Sequence, residues 1–284
     1  MCEICQYIVK EFGISRNEIE RCGDFMKLVF IRHGDPDYEN DTLTKAGRKE
    51  AEALAMHISR LGIDEAYVSP LGRAADTAKY SLDKLGIRGT TLDWLREFPA
   101  EFDPNLADSD REAYRNELKL NDNGSFDKRI VWDILPSYYG KHPELFDRNG
   151  WRDSKLVKCS NMTSQYDYVT GSFNKLLAGY GYERSGDIFN VKSSNNKVIA
   201  FFCHFGITSV LISSLWNISP FVTLQFLAMA PTSVTILASE EREKGTAIFR
   251  GLQIGDISHL NAESIAPSFS ARFCERFENE YERH

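Results

Sequence analysis

Positive charge is in short supply. Thirty-four lysines and arginines face 41 aspartates and glutamates, a formal net charge of −7. That balance argues against a general nucleic-acid binder, although it leaves room for a small basic pocket. Cysteine is scarce too: six in 284 residues cannot form a disulfide framework for a chain of this length. Cys2-x-x-Cys5, with Cys22 as a third candidate ligand, is not followed by a second close pair, so these residues read as thiols on a short N-terminal extension rather than a metal centre. The opening residues MCEICQYIVKEFG lack the basic region and long apolar run of a secretory signal, and a cytoplasmic location is expected. Uninterrupted apolar runs of membrane-spanning length are missing. Ser, Thr and His204 break Val198–Trp216, and Gln225 and Pro231 break Phe221–Ala238, so no membrane contact is expected. Internal repeats and low-complexity segments are absent as well.

What is present starts with an ordinary globular composition, 42% hydrophobic and 26% charged. The length suits one large core, or one core carrying an inserted subdomain. The stretch Lys27–Gly34, KLVFIRHG, is an apolar run rich in β-branched and aromatic residues that stops abruptly in Arg-His-Gly. Such a run fits a strand buried on both faces. Arg32 and His33 then stand at its carboxyl end, where open α/β sheets bind ligands, and Gly34 lets the backbone turn sharply.

Strand–helix alternation follows. Leu43-Thr44 reads as a hydrophobic staple and N-cap for a helix through Arg60, closed by Gly62. Glu65–Ser69 reads as a second strand, and Pro70 places Arg73 early on the next helix, which Gly86 closes. Thr90–Leu95 reads as a third strand with Glu97 just beyond it. From about residue 103 to 186 the alternation stops. Asp110–Leu120 and Tyr166–Tyr180 have helical patterns, with an aromatic-rich stretch around Trp132, Tyr138, Tyr139 and Trp151 between them. An insertion of this length is expected to form a largely helical cap, most of its aromatics making a small core. Alternation resumes with the buried strand Lys197–Cys203, ending in His204, and a helix from Ile207. An antiparallel pair, Ser233–Ala238 and Ala247–Leu252, and a last helix over Phe269–Glu282 complete the chain. Ser15-x-x-Glu18 has capping-box spacing for a short helix in the extension. The expectation is an α/β domain over residues 27–284 after an extension over 1–26. It has three layers, a mostly parallel sheet with helices on both faces, and the cap inserted.

Four strand ends thus carry Arg32-His33, Arg73, Glu97 and His204. Gathered at one sheet edge, two arginines, two histidines and a carboxylate need an anion to balance them. At this point the chain resembles the histidine phosphatase superfamily, also called phosphoglycerate-mutase-like. The matching residues are Arg32-His33-Gly34, Ser69-Pro70-x-x-Arg73-Ala74-x-x-Thr77-Ala78, Leu95-x-Glu97 and His204 with Gly206. Three departures stand out. The polar loop Asp35–Thr42 lacks the longer Asn- and Trp-bearing pattern of the glycolytic mutases, which favours a phosphatase. Phe205 follows the second histidine where the family usually has glycine, and no glycine-rich, tryptophan-containing stretch follows Glu97, which leaves Glu101 as a competing acid.

The resemblance implies a phosphomonoester hydrolase acting on a small phosphorylated metabolite through a phosphohistidine. The alternatives are a phosphomutase or a non-catalytic phosphate-binding protein. The chemistry suits the residues. Arginine charges keep the His33 imidazole neutral for attack on phosphorus, and Arg32, Arg73 and His204 hold the equatorial oxygens. Glu97 protonates the leaving oxygen and then activates water. Neither metal nor organic cofactor is expected, because the cationic side chains take over the metal's role.

Overall fold

The computed structural model describes residues 25–114, 118–269, 276, 278 and 279. The Cys2/Cys5/Cys22 thiols, the capping box at Ser15 and nearly all of the expected last helix lie outside them.

β1 (Lys27–Arg32) opens the domain and is followed by a small ribbon, β2 (Pro36–Asp37) with β3 (Thr42–Leu43). In α1 (Lys45–His57) the Thr44 hydroxyl caps the first turn by accepting from Gly47 N–H at 3.1 Å. A 3₁₀ turn prolongs it to Gly62, which stops it at φ 64°. β4 (Glu65–Val68), α2 (Gly72–Leu85) and the short edge strand β5 (Gly89–Thr91) come next. The insertion carries a two-stranded pair, β6 (Glu101–Phe102) with β7 (Arg129–Ile130), among short 3₁₀ and helical turns. α3 (Met162–Gly179) and the hairpin β8 (Tyr182–Ser185) and β9 (Ile188–Val191) follow. The chain then forms β10 (Val198–Cys203), α4 (Phe205–Trp216), α5 (Pro220–Phe226), β11 (Val234–Glu243), β12 (Thr246–Asp256) and α6 (Ser258–Ala262).

Among the described residues the main sheet has eight strands in the order β5-β4-β10-β1-β11-β12-β9-β8. The β5-β4-β10-β1 half is parallel, and each pairing beyond β1 is antiparallel. The sheet is therefore mixed. Six of its eight strands still point the same way, because the hairpins β11–β12 and β8–β9 each contribute one strand of each direction.

The period-2 alternation of β1 sorts the core into two faces. Val29 and Ile31 pack with Leu54, Ile58, Ala78 and Leu82 under α1 and α2. Leu28 and Phe30 pack with Phe173, Phe201 and Leu211 under α3 and α4. Helices thus cover both faces in a three-layer α/β fold. α3 corresponds to the helical pattern at Tyr166–Tyr180, and it lies on the sheet: Phe173 meets Phe30 at 6.3 Å and Phe201 at 5.9 Å between ring centroids.

The structure departs from the sequence reading in three places. Asp110–Leu120 has only a 3₁₀ turn at Arg111–Tyr114 within its described residues. The strand expected over Thr90–Leu95 stops at Thr91, and a 3₁₀ turn (Asp93–Leu95) swings Trp94 onto Phe173 at 6.0 Å and buries Leu95. The β8–β9 hairpin, turning at Gly186 with φ 58°, was not anticipated. Among the described residues, no helix is long and apolar enough to cross a membrane.

Candidate active site

The register of two parallel strands brings the two histidines together. β1 and β10 pair with Arg32 opposite Cys203, so His33 and His204 leave the sheet at the same level. Their rings lie 5.0 Å apart at 59°. The His33 backbone is clamped on both sides: its N–H donates to Cys203 O at 3.0 Å, and its carbonyl accepts from Thr232 N–H at 3.1 Å. Gly34 N–H donates to the Thr77 hydroxyl at 2.9 Å. A Cβ on Gly34 would lie 2.7 Å from the Gly47 carbonyl, so the close approach of this turn to α1 requires glycine.

The His33 ring is oriented by its own neighbour. Nδ1–H donates to Gly34 O at 2.7 Å, which assigns the proton to Nδ1 and leaves the lone pair on Nε2. Arg73 Nε donates towards that Nε2 at 3.4 Å. Burial, and then the charges of Arg32 and Arg73, hold the His33 pKa well below the usual histidine range. His204 is shifted the same way, by burial first and then by His33 and the two arginines. Ser69 Oγ lies 2.8 Å from His204 Nε2, while the buried His204 Nδ1 has no hydrogen-bond partner among the described residues. With the serine hydroxyl donating to Nε2, the Nδ1 proton is left for another acceptor.

Each arginine is tethered. Arg32 is buried, and its Nη1 donates to Met229 O at 2.5 Å. Arg73 stands in the first turn of α2, and its Nη1 donates to Asp41 Oδ1 at 2.7 Å. The other oxygen of Asp41 accepts Gly72 N–H at 2.7 Å, so one carboxylate fixes both the guanidinium and the start of its helix. Tyr38 lies with its ring centroid 5.3 Å from the Arg73 guanidinium carbon. Neither Tyr38 nor Asp41 was singled out in the sequence. Both sit in the polar loop Asp35–Thr42, where neither composition nor the family resemblance marks them individually.

Glu97 sits two residues beyond the 3₁₀ turn rather than at a strand end. Its Oε1 accepts Phe98 N–H at 2.9 Å and Ile207 N–H at 3.2 Å. The second bond occupies an amide in the first turn of α4, so this helix start holds a carboxylate. Burial raises the Glu97 pKa, against the opposing pull of these bonds and the arginines. Gly206 makes the arrangement possible: a Cβ there would lie 2.7 Å from Glu97 Oε1 and 3.0 Å from the Trp132 ring. The competing Glu101 is in β6 with a half-exposed side chain 3.6 Å from Lys128, and it does not line the cavity that Glu97 lines.

That cavity has a volume of about 430 Å³. Arg32, Arg73, Glu97 and Tyr38 line its polar end. Ile130, Trp132, Asp133 and Ile134 come from the insertion, and Phe205, Leu224, Gln225 and Leu227 close it from the α4–α5 side. Phe205 is buried with its ring in this wall, and Trp132 stacks on Phe98 at 5.7 Å. Trp151 and Tyr138 are core residues, as expected of most insertion aromatics. Cys203 faces away, its Sγ 3.3 Å from the Thr208 hydroxyl, and burial pushes its thiol up to about 12. Among the described residues no group of three or more His, Cys, Asp or Glu side chains could hold a metal ion.

Residues 28–134 match the family model of the histidine phosphatase superfamily (branch 1). No curated protein matches the chain. Several solved structures share the fold. A mycobacterial glucosyl-3-phosphoglycerate phosphatase complexed with VO3 aligns with a TM-score of 0.50 at 17% identity, over 81% of this chain and 99% of that one. A phosphoserine phosphatase from Entamoeba histolytica in complex with 3-phosphoglyceric acid gives 0.50 at 18% identity, over 83% and 99%. A mycobacterial hydrolase gives 0.50 at 15%, over 89% and 100%. At such identities the likeness is one of fold.

Proposed function

We propose that this chain, whose residues 28–134 match the histidine phosphatase superfamily (branch 1) model, belongs to that superfamily and hydrolyses small phosphomonoesters through a phosphohistidine on His33. The observation that carries the reading is the His33 imidazole itself. It is buried and neutral, with its proton held on Nδ1 by Gly34 O and its Nε2 lone pair directed at the Arg73 side chain. An imidazole so placed is a nucleophile waiting for an electrophile that brings negative charge.

In the first step Nε2 attacks phosphorus in line with the ester oxygen. The new N–P bond forms as the P–O bond breaks. Arg32, Arg73 and the Nδ1–H of His204 stabilise the equatorial oxygens, which is where most of the catalysis of phosphoryl transfer lies. Glu97, whose affinity for a proton burial raises, serves as the acid that gives a proton to the leaving oxygen. In the second step the Glu97 carboxylate takes a proton from water as that water attacks phosphorus, and phosphate departs from a regenerated imidazole. The reading assigns charge neutralisation to the two arginines instead of a metal ion. It treats residues 27–284 as one catalytic unit, with the insertion between about 103 and 186 supplying part of the cavity wall.

The test is labelling by ³²P-acetyl phosphate together with turnover of a phosphatase panel, with and without phosphorylated acceptors. Wild type should acquire an acid-labile, base-stable label and release phosphate, and His33→Ala should do neither. Label that persists in His33→Ala would end this reading. Transfer to an acceptor in place of release would make the protein a mutase.

A further inference from the structure

Arg32 and Arg73 border the cavity at one end, whereas the buried His33 and His204 are not among its described lining residues, so the proposed phosphate position adjoins that end and leaves most of the cavity free. A volume of about 430 Å³ falls within the span of small-molecule sites, roughly 300–1,000 Å³. The remainder therefore receives the substrate's alcohol portion, and its chemistry can be read from the wall. Trp132, Ile130, Ile134, Phe205, Leu224 and Leu227 make that wall predominantly apolar. Two further groups are polar. Gln225 has its amide N–H₂ committed to the Trp132 carbonyl, and Asp133 carries negative charge and accepts from Arg129 at 2.7 Å.

No lysine, arginine or histidine among the described lining residues supplements Arg32 and Arg73. Those two already serve the phosphate. A second anionic group on the substrate would meet mostly apolar surface and Asp133, whose carboxylate already engages Arg129, with no further cation among the described lining residues to take it.

The wall also meets the acid at a defined point. Where a Cβ on Gly206 would stand, Glu97 Oε1 is 2.7 Å away and two atoms of the Trp132 six-membered ring are 3.0 and 3.1 Å away. Glu97 Oε1 accepts two backbone N–H bonds, which leaves Oε2 to carry the proton for the ester oxygen; because Glu97 and Trp132 line the same cavity, the carbon skeleton bonded to that oxygen meets the wall that Trp132 helps to form. Trp132 is held there by its stack on Phe98 and by the Gln225 bond.

We infer that this enzyme is built for phosphomonoesters of uncharged alcohols that carry an aromatic or branched apolar group near the ester oxygen, and that it discriminates against phosphates bearing a carboxylate. This rests on the hydrolase reading above and adds the substrate class, with Trp132 as the specificity-determining residue.

The experiment compares kcat/KM of the full chain for 2-phenylethyl phosphate with that for phosphoserine and 3-phosphoglycerate. All three are primary alkyl esters, so leaving-group reactivity does not create the preference. The expected ratio is ~10²-fold or more in favour of the aromatic ester, because a buried carboxylate left without its partner is rejected strongly. Trp132→Ala should lower that ratio ~10-fold, and because a ratio is read, any general loss of activity cancels. Binding is measured independently with the non-hydrolysable 2-phenylethylphosphonate and 3-phosphonopropionate, the first expected to bind ~10²-fold more tightly. Leu227→Arg, which adds a cation to the wall, should improve binding of 3-phosphonopropionate ~10-fold. A ratio near one in turnover or in binding, or no gain from Leu227→Arg, overturns the assignment. If no ester and no acetyl phosphate is turned over while the binding preference holds, the hydrolase reading fails and the ligand class stands.

Discussion

Adding a single methyl group at Gly206 should separate the acid from the rest of the machinery. The Cβ of Gly206→Ala would come within 2.7 Å of Glu97 Oε1 and 3.0 Å of the Trp132 ring. Trp132 is wedged against Phe98, so the carboxylate is the group that gives way. Its bonds to Phe98 N–H and Ile207 N–H, 2.9 and 3.2 Å long, are then stretched or lost. Overpacking of this kind costs about 1–3 kcal/mol of stability, a drop of a few degrees in Tm that leaves a folded protein. The catalytic cost is larger. General acid catalysis contributes typically ~10²–10⁴-fold, and a carboxylate displaced by about 1 Å should forfeit ~10²-fold of kcat/KM on alkyl phosphates. Aryl phosphates with good leaving groups need little protonation and should lose less. The decisive assay is a double-mutant cycle with Glu97→Gln, measured on an alkyl ester. If Gly206→Ala acts through Glu97, it costs almost nothing further once the acid is gone. Full additivity of the two variants, or a Gly206→Ala enzyme as fast as wild type on alkyl esters, would show that the carboxylate at Gly206 is not the proton donor.

Three other outcomes are expected. His33 and His204 both have folded pKa values below the usual 6.5, so as pH falls through that value the unfolded chain takes up protons that the folded chain refuses, and stability declines. The slope is at most about 1.4 kcal/mol per pH unit for each group, and a Tm that rises between pH 6.5 and 5 would contradict it. Asp41→Asn removes the charge that positions Arg73 while keeping an acceptor for Gly72 N–H. Because Asp41 is 42% exposed, the stability change should stay within about 1 kcal/mol while KM rises several-fold; an unchanged KM would deny Asp41 a positioning role. Phe173→Ala empties the centre of the α3–sheet interface and should cost about 3–5 kcal/mol by chemical denaturation. A loss below 1 kcal/mol would mean that α3 is not packed as described.

The parts of the site borne by regular elements were legible in the sequence. An apolar run that stops in Arg-His-Gly has one strand end to occupy; Pro70 suits a first helical turn but lies just before the N-cap Leu71, and the helix that starts at Gly72 still holds Arg73 in its first turn. Arg32, His33, Arg73 and His204 therefore fell where periodicity and capping put them. Glu97 was placed at a strand end because Thr90–Leu95 has strand composition. In the structure burial of Leu95 and the docking of Trp94 onto Phe173 override that local preference and end the strand early. Asp41 and Tyr38 left no signal, since a polar loop residue gains its role only from the guanidinium it meets across thirty residues of chain. Trp132 was seen as an aromatic but could not be told from its neighbours Trp151 and Tyr138, which are core. What separates them is the close contact of the Trp132 ring with Gly206, and that contact exists only once α4 and the insertion have met. The β8–β9 hairpin was hidden because its four-residue strands are too short for alternation to stand out.

The position of β10 has a consequence for the order in which the molecule is completed. β10 lies between β1 and β4, although it follows them in the chain by about 130 residues or more. A chain folding from its N-terminus must therefore hold β1 and β4 apart, or let them separate again, until the middle strand arrives. Contacts of such long sequence separation are slow to form, and unpaired edges are exposed meanwhile. His33, the proposed nucleophile, is in the chain from the start, but the carbonyl of Cys203 and the imidazole of His204 come with the late strand. Recovery of activity during refolding should accordingly lag behind recovery of helical circular dichroism. The proposed phosphatase turnover would then serve as the clock for insertion of the central strand, and simultaneous recovery of the two signals would show that β1, β10 and β4 come together in a single step.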